Sequence, residues 1–258
     1  MKSNPSDNLV RLVIVGDFQI GKSSLVNCLL AESLAATGEG FSPTTEKVSE
    51  YDFAPGIRLI DTPGFNDKRT ELTKLSENEI QTADVVVFVQ TDKMLETRKY
   101  SFLRAAKRKP IVVLFNCWHT TRGQAGWIPD NRVNVEACLK IKSQLSNGGM
   151  DSAILPIDGK SVIPVNVLWA QYGLGQPIYG DQREDGIAGF ARRMLGLNLP
   201  LPALRAEMLA RSGFLPIRDF LKNLPLELLK HAAAHPELEI DRIVNRFAEE
   251  FRRRWSAA

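Results

Sequence analysis

This 258-residue chain has only three cysteines, Cys28, Cys117 and Cys138. Their odd number cannot pair fully and their spacing does not suit a metal. A disulfide framework is therefore excluded, and the expectation is reduced thiols. Histidine is as scarce. His231 and His235 stand four apart, as two ligands on one helix would, but Pro236 follows at once and no carboxylate or cysteine stands in register. With His119 they make no metal set. The net charge, +3, is too small to argue for nucleic acid by itself. No uninterrupted apolar run approaches the ~20 residues that a spanning helix needs. The polar stretch 1–8 lacks an apolar signal core, and neither end shows a lipidation motif. These absences predict a cytoplasmic protein, at most peripheral to a membrane. There are no internal repeats and no low-complexity tract.

What is present is an ordinary globular composition, 44% hydrophobic and 24% charged, at a length that suits one generous α/β domain and an appendage. Short apolar runs at 9–15, 48–53, 57–61, 85–90, 111–116 and 163–168 alternate with helical patterns at 22–35, 70–82, 94–108, 131–146 and 184–195. That alternation predicts a mostly parallel sheet with helices on both faces. The runs from Val85 to Val89 and from Ile111 to Phe115 are continuously apolar, as central strands buried on both faces are. Ala54-Pro55-Gly56 reads as the turn of an antiparallel hairpin at the sheet edge. Near Leu199-Pro200-Leu201-Pro202 the texture changes and the rest reads as helical, divided by Pro216, Pro225 and Pro236. We place the boundary between a domain, 1–198, and a C-terminal helical extension, 199–258, at this break. In the last segment Ile240, Ile243, Val244, Phe247 and Phe251 form one apolar stripe, with Arg242, Arg246, Glu249, Glu250 and Arg252 on the opposite face. Arg104, Lys107, Arg108 and Lys109 read as a solvated helix end, and so does the terminal run Arg252-Arg253-Arg254-Trp255.

Between the first strand and the first helix lies Gly16-Asp17-Phe18-Gln19-Ile20-Gly21-Lys22-Ser23, which fits G-x-x-x-x-G-K-[ST]. Such a P-loop turns its backbone N–H groups around a di- or triphosphate, and the helix that follows, entered here through Ser24, adds its positive end. The lysine pairs with the outer phosphates and the serine hydroxyl suits Mg²⁺. Asp61-Thr62-Pro63-Gly64 ends the strand at 57–61, where a carboxylate sits beside the P-loop. Gly64 permits close approach of its backbone N–H to a γ-phosphate. Ser42-Pro43-Thr44-Thr45 lies in a polar loop between the two motifs.

In this order the three motifs resemble the translation-factor-related (TRAFAC) class of P-loop GTPases. Within it the resemblance is to the Era/TrmE/septin-like superfamily and its 50S ribosome-binding GTPases, and it covers about residues 9–195. It implies a G domain that binds GTP or GDP with Mg²⁺. Lys22 would neutralise the β- and γ-phosphates, Ser23 and Thr45 would ligate the metal, and Asp61 would hold it through water. Lys22, Thr45 and Gly64 would serve catalysis. Loops 36–50 and 64–70 would be ordered by the γ-phosphate and released on its loss, as in a molecular switch. A protein partner or a second copy of the chain would read that state. An RNA or ribosomal partner and a membrane surface are alternatives that no residue supports.

Two departures from the family pattern matter. Guanine is read in this class by N-K-x-D, and here the matching segment is Asn116-Cys117-Trp118-His119. The lost carboxylate removes the acceptor pair on which guanine selectivity rests. Trp118 stacking on the base, His119 bonding to it, and Asn166 or the backbone around Val167 remain as base contacts. Phe65 stands where Ras-like enzymes place a water-orienting glutamine. Some relatives use K⁺ held by a P-loop asparagine, and Gln19 occupies that position. Asp67 and Asn66 are the loop residues nearest to a catalytic role. Slow Mg²⁺-dependent GTP hydrolysis is the expected activity. A catalytically inactive nucleotide-binding module and, third, a P-loop small-molecule kinase are its competitors.

Overall fold

A computed structural model describes residues 9–31, 47–64, 70–91, 106, 108–117, 128–176, 184–232 and 235–256. Six strands form one sheet: β1 (Val10–Gly16), β2 (Ser49–Ala54), β3 (Ile57–Asp61), β4 (Val85–Gln90), β5 (Ile111–Asn116) and β6 (Val162–Val165). The described helices are α1 (Lys22–Leu30), α2 (Thr70–Thr82), α3 (Arg132–Asn147), α4 (Val167–Gly173), α5 (Glu184–Leu195), α6 (Leu201–Arg211), α7 (Phe214–Lys222), α8 (Leu224–Ala232) and α9 (Ile240–Ser256). The strand order is β2-β3-β1-β4-β5-β6, and only β2 runs antiparallel.

The sequence explains this order. Every residue of β4 and β5 is buried, as continuously apolar runs require when helices cover both faces. In β2, Glu50 and Asp52 are exposed, as suits an edge strand whose charges discourage pairing with another chain. At the other edge β6 carries Pro164, which has no N–H to donate to a further strand. Because all strands but β2 are parallel, their carboxyl ends lie on one side of the sheet, where β1 and β3 deliver the P-loop and the Asp61 loop together.

Three expectations need correction. The apolar run 163–168 is not one strand. β6 ends at Val165, and the Asn166 side chain accepts a hydrogen bond from Trp169 N–H, which caps α4 and starts a helix where a strand was expected. The first helix ends at Leu30, because Ala31 adopts a left-handed φ of 57°. Arg246, expected on the polar face opposite the stripe, is half-buried. It pairs with Asp84 at 2.7 Å. The helix expected at 94–108 lies almost wholly outside the described residues.

The C-terminal helices contribute to the main core. Phe214, Ile217, Leu221, Leu224, Leu228, Ile240 and Ile243 belong to the same buried cluster as the sheet. A second cluster joins Leu168, Trp169 and Tyr172 of α4 with Ile187 and Ala191 of α5 and Leu204 and Met208 of α6. The stripe on α9 is inward from Ile240 to Phe247, whereas Phe251 is exposed.

Candidate phosphate-binding site

The P-loop backbone fits only glycine at its first position. Gly16 has φ +152°, and a Cβ there would lie 2.3 Å from the Val89 carbonyl oxygen of β4. Gln19 and Gly21 are also left-handed, at 57° and 90°. The loop thereby arches over the start of α1. Gly21 offers no capping side chain and the first turn carries no acidic residue, so the helix's opening N–H groups are not claimed by a side-chain cap. Phe18 and Gln19 form the outer crown of the loop, while Asp17 and Ile20 are buried.

Lys22 and Ser23 are both buried. Lys22 Nζ donates to the Asp17 carbonyl at 2.7 Å. Burial pushes its ammonium down to about 8, against the opposing pull of the Asp61 and Asp17 carboxylates. Ser23 Oγ donates to Asp61 Oδ2 at 2.8 Å, joining residues 38 apart in the chain. Thr62 Oγ1 donates to the Ile14 carbonyl of β1, and Ser76 Oγ of α2 to the Pro63 carbonyl. These two bonds fix the Asp61 loop at both its strand and its helix side. Gly64 then lies against the P-loop itself. A Cβ on Gly64 would meet Phe18 Cα at 2.5 Å.

The donor set suits the expected ligands. A buried carboxylate and a hydroxyl in contact are hard oxygen ligands of the kind Mg²⁺ takes. The cradle that a Cβ at Gly16 would fill, the uncapped helix end and the ammonium of Lys22 suit a polyphosphate. Thr45, Trp118 and His119 lie outside the described residues, as do Phe65, Asn66 and Asp67.

On the base side Asn116 links two loops. Its Nδ2 donates to the Ile20 carbonyl of the P-loop at 2.8 Å, and its Oδ1 accepts from Val167 N–H at 3.3 Å. The Asn166 side-chain oxygen is committed to capping α4. Cys117 is fully buried, and burial pushes its thiol well above the ordinary range. A neutral thiol therefore stands where the family pattern places a lysine.

Sequence reasoning missed the anchoring roles of Thr62 and Ser76. A hydroxyl beside a strand end gives no separate signal. The cap at Asn166 was readable, because asparagine before a helical pattern is a start signal. Lys109 belongs to a basic run expected to be solvated. It instead reaches back to the Gln81 and Ala83 carbonyls at the end of α2. Among the described residues no three histidine, cysteine or acidic side chains converge as metal ligands elsewhere, and no described helix is long and apolar enough to cross a membrane.

A parallel sheet that brings a P-loop lysine and serine against a strand-end aspartate defines a P-loop nucleotide-binding domain. Residues 11–117 match the family model described as 50S ribosome-binding GTPase, so this part of the chain is similar to the GTPase domains of that family. The tRNA modification GTPase MnmE of Leptospira interrogans is 37% identical over 97 residues, which is 34% of this chain and 21% of that protein. MnmE of Staphylococcus aureus is 29% identical over 111 residues, 40% of this chain and 24% of that protein. The matched stretches thus span about a quarter or less of these curated relatives. A solved structure of Era with MgGDPNP and nucleotides of 16S ribosomal RNA aligns at 16% identity with a TM-score of 0.45, over 72% of this chain and 66% of that one.

Proposed function

We propose that this chain binds GTP and GDP with Mg²⁺ at the P-loop and hydrolyses GTP slowly, acting as a switch through loops 36–50 and 64–70. The observation that carries this reading is the buried contact of Ser23 with Asp61 beside Lys22. Lys22 holds the outer phosphates, the P-loop main chain orients them, and Ser23 and Asp61 hold the metal, with Thr45 as its further ligand. When bound, Mg²⁺ neutralises charge developing between the terminal phosphates. Gly64 lies one backbone away from the P-loop, where its N–H reaches a third phosphate and links that phosphate to the loop that follows. Gln19, on the crown of the loop, is the candidate K⁺ contact.

The test is single-turnover phosphate release from GTP and from ATP, with Mg²⁺ and with Na⁺ or K⁺. Slow release from GTP alone supports the reading, and acceleration by K⁺ that is lost in Gln19→Ala assigns Gln19. Release from neither nucleotide, despite binding, supports a second reading, a nucleotide-binding module without turnover. The buried thiol of Cys117 favours that second reading for base selectivity in particular, since no cation at that position shapes a guanine pocket. Transfer of phosphate to a metabolite would support a kinase and overturn both. The curated relatives are named for tRNA modification, so an RNA-handling assembly and a second copy of this chain are the partners to assay first.

A further inference from the structure

The base-side loop is held from behind by helices that lie beyond the matched GTPase segment. The turn between α6 and α7, Ser212-Gly213, packs on the end of β6. Asn166 N–H donates to the Ser212 carbonyl at 2.8 Å. Gly213 has φ +73°, and a Cβ there would lie 2.5 Å from the Pro164 carbonyl oxygen and 3.6 Å from Val165 Cα. The turn is itself fastened: Ser212 Oγ donates to the Leu209 carbonyl at 2.7 Å and accepts from Phe214 N–H at 3.2 Å. At the far end of α4, Gly173 lets α6 cross closely. A Cβ at Gly173 would meet Leu209 Cβ at 2.5 Å and the Arg205 carbonyl oxygen at 2.8 Å. The Arg205 guanidinium lies over the Tyr172 ring, 5.2 Å from its centre.

From the front, the same loop is tied to the nucleotide side. Val167 N–H donates to Asn116 Oδ1, Asn116 reaches the P-loop at Ile20, and Gln176 Nε2 donates to the Asn27 carbonyl of α1. The segment 164–167 is thus clamped between the P-loop and the α6–α7 turn.

We infer that Ser212-Gly213 is a positioning element for base recognition: it presses the β6–α4 main chain forward into the place where the nucleotide base is read. This rests on the nucleotide-binding reading proposed above. The physical reason is the missing aspartate of the base motif. A site that reads a base with a carboxylate tolerates slack in the neighbouring loop. A site that reads it with main chain depends on where the loop is held. This chain holds it with contacts that only glycine allows at two positions, Gly173 and Gly213.

The test separates base from phosphate. Affinities for GDP and for inorganic pyrophosphate are measured by calorimetry on the full chain and on Gly213→Ala, Ser212→Ala and Phe247→Ala, with melting temperatures for each. Gly213→Ala is expected to weaken GDP by about tenfold, the scale of one misplaced hydrogen bond, while pyrophosphate binding is unchanged. Ser212→Ala loosens the turn without forcing a side chain into Pro164, and is expected to weaken GDP by about threefold. It keeps the question open to test if Gly213→Ala fails to fold. Phe247→Ala, at the other end of the sheet, is expected to lower the melting temperature and change neither affinity. Equal losses for GDP and pyrophosphate would make the turn merely structural and overturn the inference. So would unchanged GDP affinity in a folded Gly213→Ala or Ser212→Ala protein, or a loss of GDP affinity in Phe247→Ala as large as in the turn variants. A parent chain that binds pyrophosphate but not GDP refutes the base role alone. One that binds neither refutes the phosphate site itself.

Discussion

At the carboxyl ends of β1 and β3, Ser23 and Asp61 meet beside the buried Lys22, all within the first 61 residues. At the amino ends of the same strands, Asp84 at the head of β4 meets Arg246 from α9, 162 residues away. Asp84 also accepts from Arg11 N–H at 2.8 Å. The Arg11 side chain bridges Glu50 of β2 and Glu79 of α2. The Phe247 ring covers Gly56, the φ +80° turn of the β2–β3 hairpin, within 2.8 Å of where a Cβ would stand. The first end concentrates buried polar groups around a charge that burial disfavours. The second pairs its charges across elements and lies beside the apolar stripe of α9. One end stores a demand for a ligand, whereas the other holds the fold shut.

The sharpest way to break this contrast is Lys22→Ala. Nucleotide affinity should fall by about a hundredfold or more, the worth of charge-assisted bonds to phosphate. The melting temperature should hold or rise, because a buried ammonium is removed. A parallel loss of stability in thermal melts would show that Lys22 is part of the scaffold.

The opposite end should respond the other way. Asp84→Asn leaves Arg246 without its counter-charge and should cost ~3 kcal/mol in denaturant unfolding, with GDP affinity unchanged. Gly56→Ala is smaller, about 1–2 kcal/mol, since it combines a strained φ with a displaced aromatic ring. If either variant alters nucleotide binding by more than a few fold in calorimetry, the two ends are coupled through β1 and β3.

The gentlest probe is pH. The Lys22 ammonium loses its proton near pH 8 in the protein without nucleotide, and a polyphosphate prefers the charged form. Affinity for GDP should therefore be flat below about pH 7 and fall about tenfold between pH 7 and 9. Stability of the nucleotide-free protein should change in the other sense. Between about 8 and 10.5 the unfolded lysine still carries a proton that the folded one has lost, so stability rises with pH. An affinity that is constant to pH 9.5 would mean that Lys22 stays charged in its pocket.

The phosphate end was legible in the sequence because its parts are short and local. Gly16, Gly21, Lys22 and Ser23 stand within eight residues, and Asp61 ends a readable strand. The tethering end was not. The stripe from Ile240 to Phe247 announced a buried face, but nothing in its spacing named β1 and the Gly56 turn as the surface it covers. Arg246 stood on the expected polar face, and its pairing with Asp84 depends on how α9 is laid down, not on periodicity. The expected strand runs three residues past the end of β6 because Asn166 sits inside an apolar run, and its cap only becomes decisive once Ser212 fixes its backbone.

The α6–α7 turn has one more consequence, at the border of the sheet. Pro164 has no N–H, and the N–H of Asn166 is already spent on the Ser212 carbonyl. Growth by strand addition needs outward-facing donors, and at these two successive outward positions none is on offer. A peptide or a second copy of this chain cannot zip onto that margin at this level. Association there has to proceed through side chains and helix surfaces, which leaves the molecule's sheet finite.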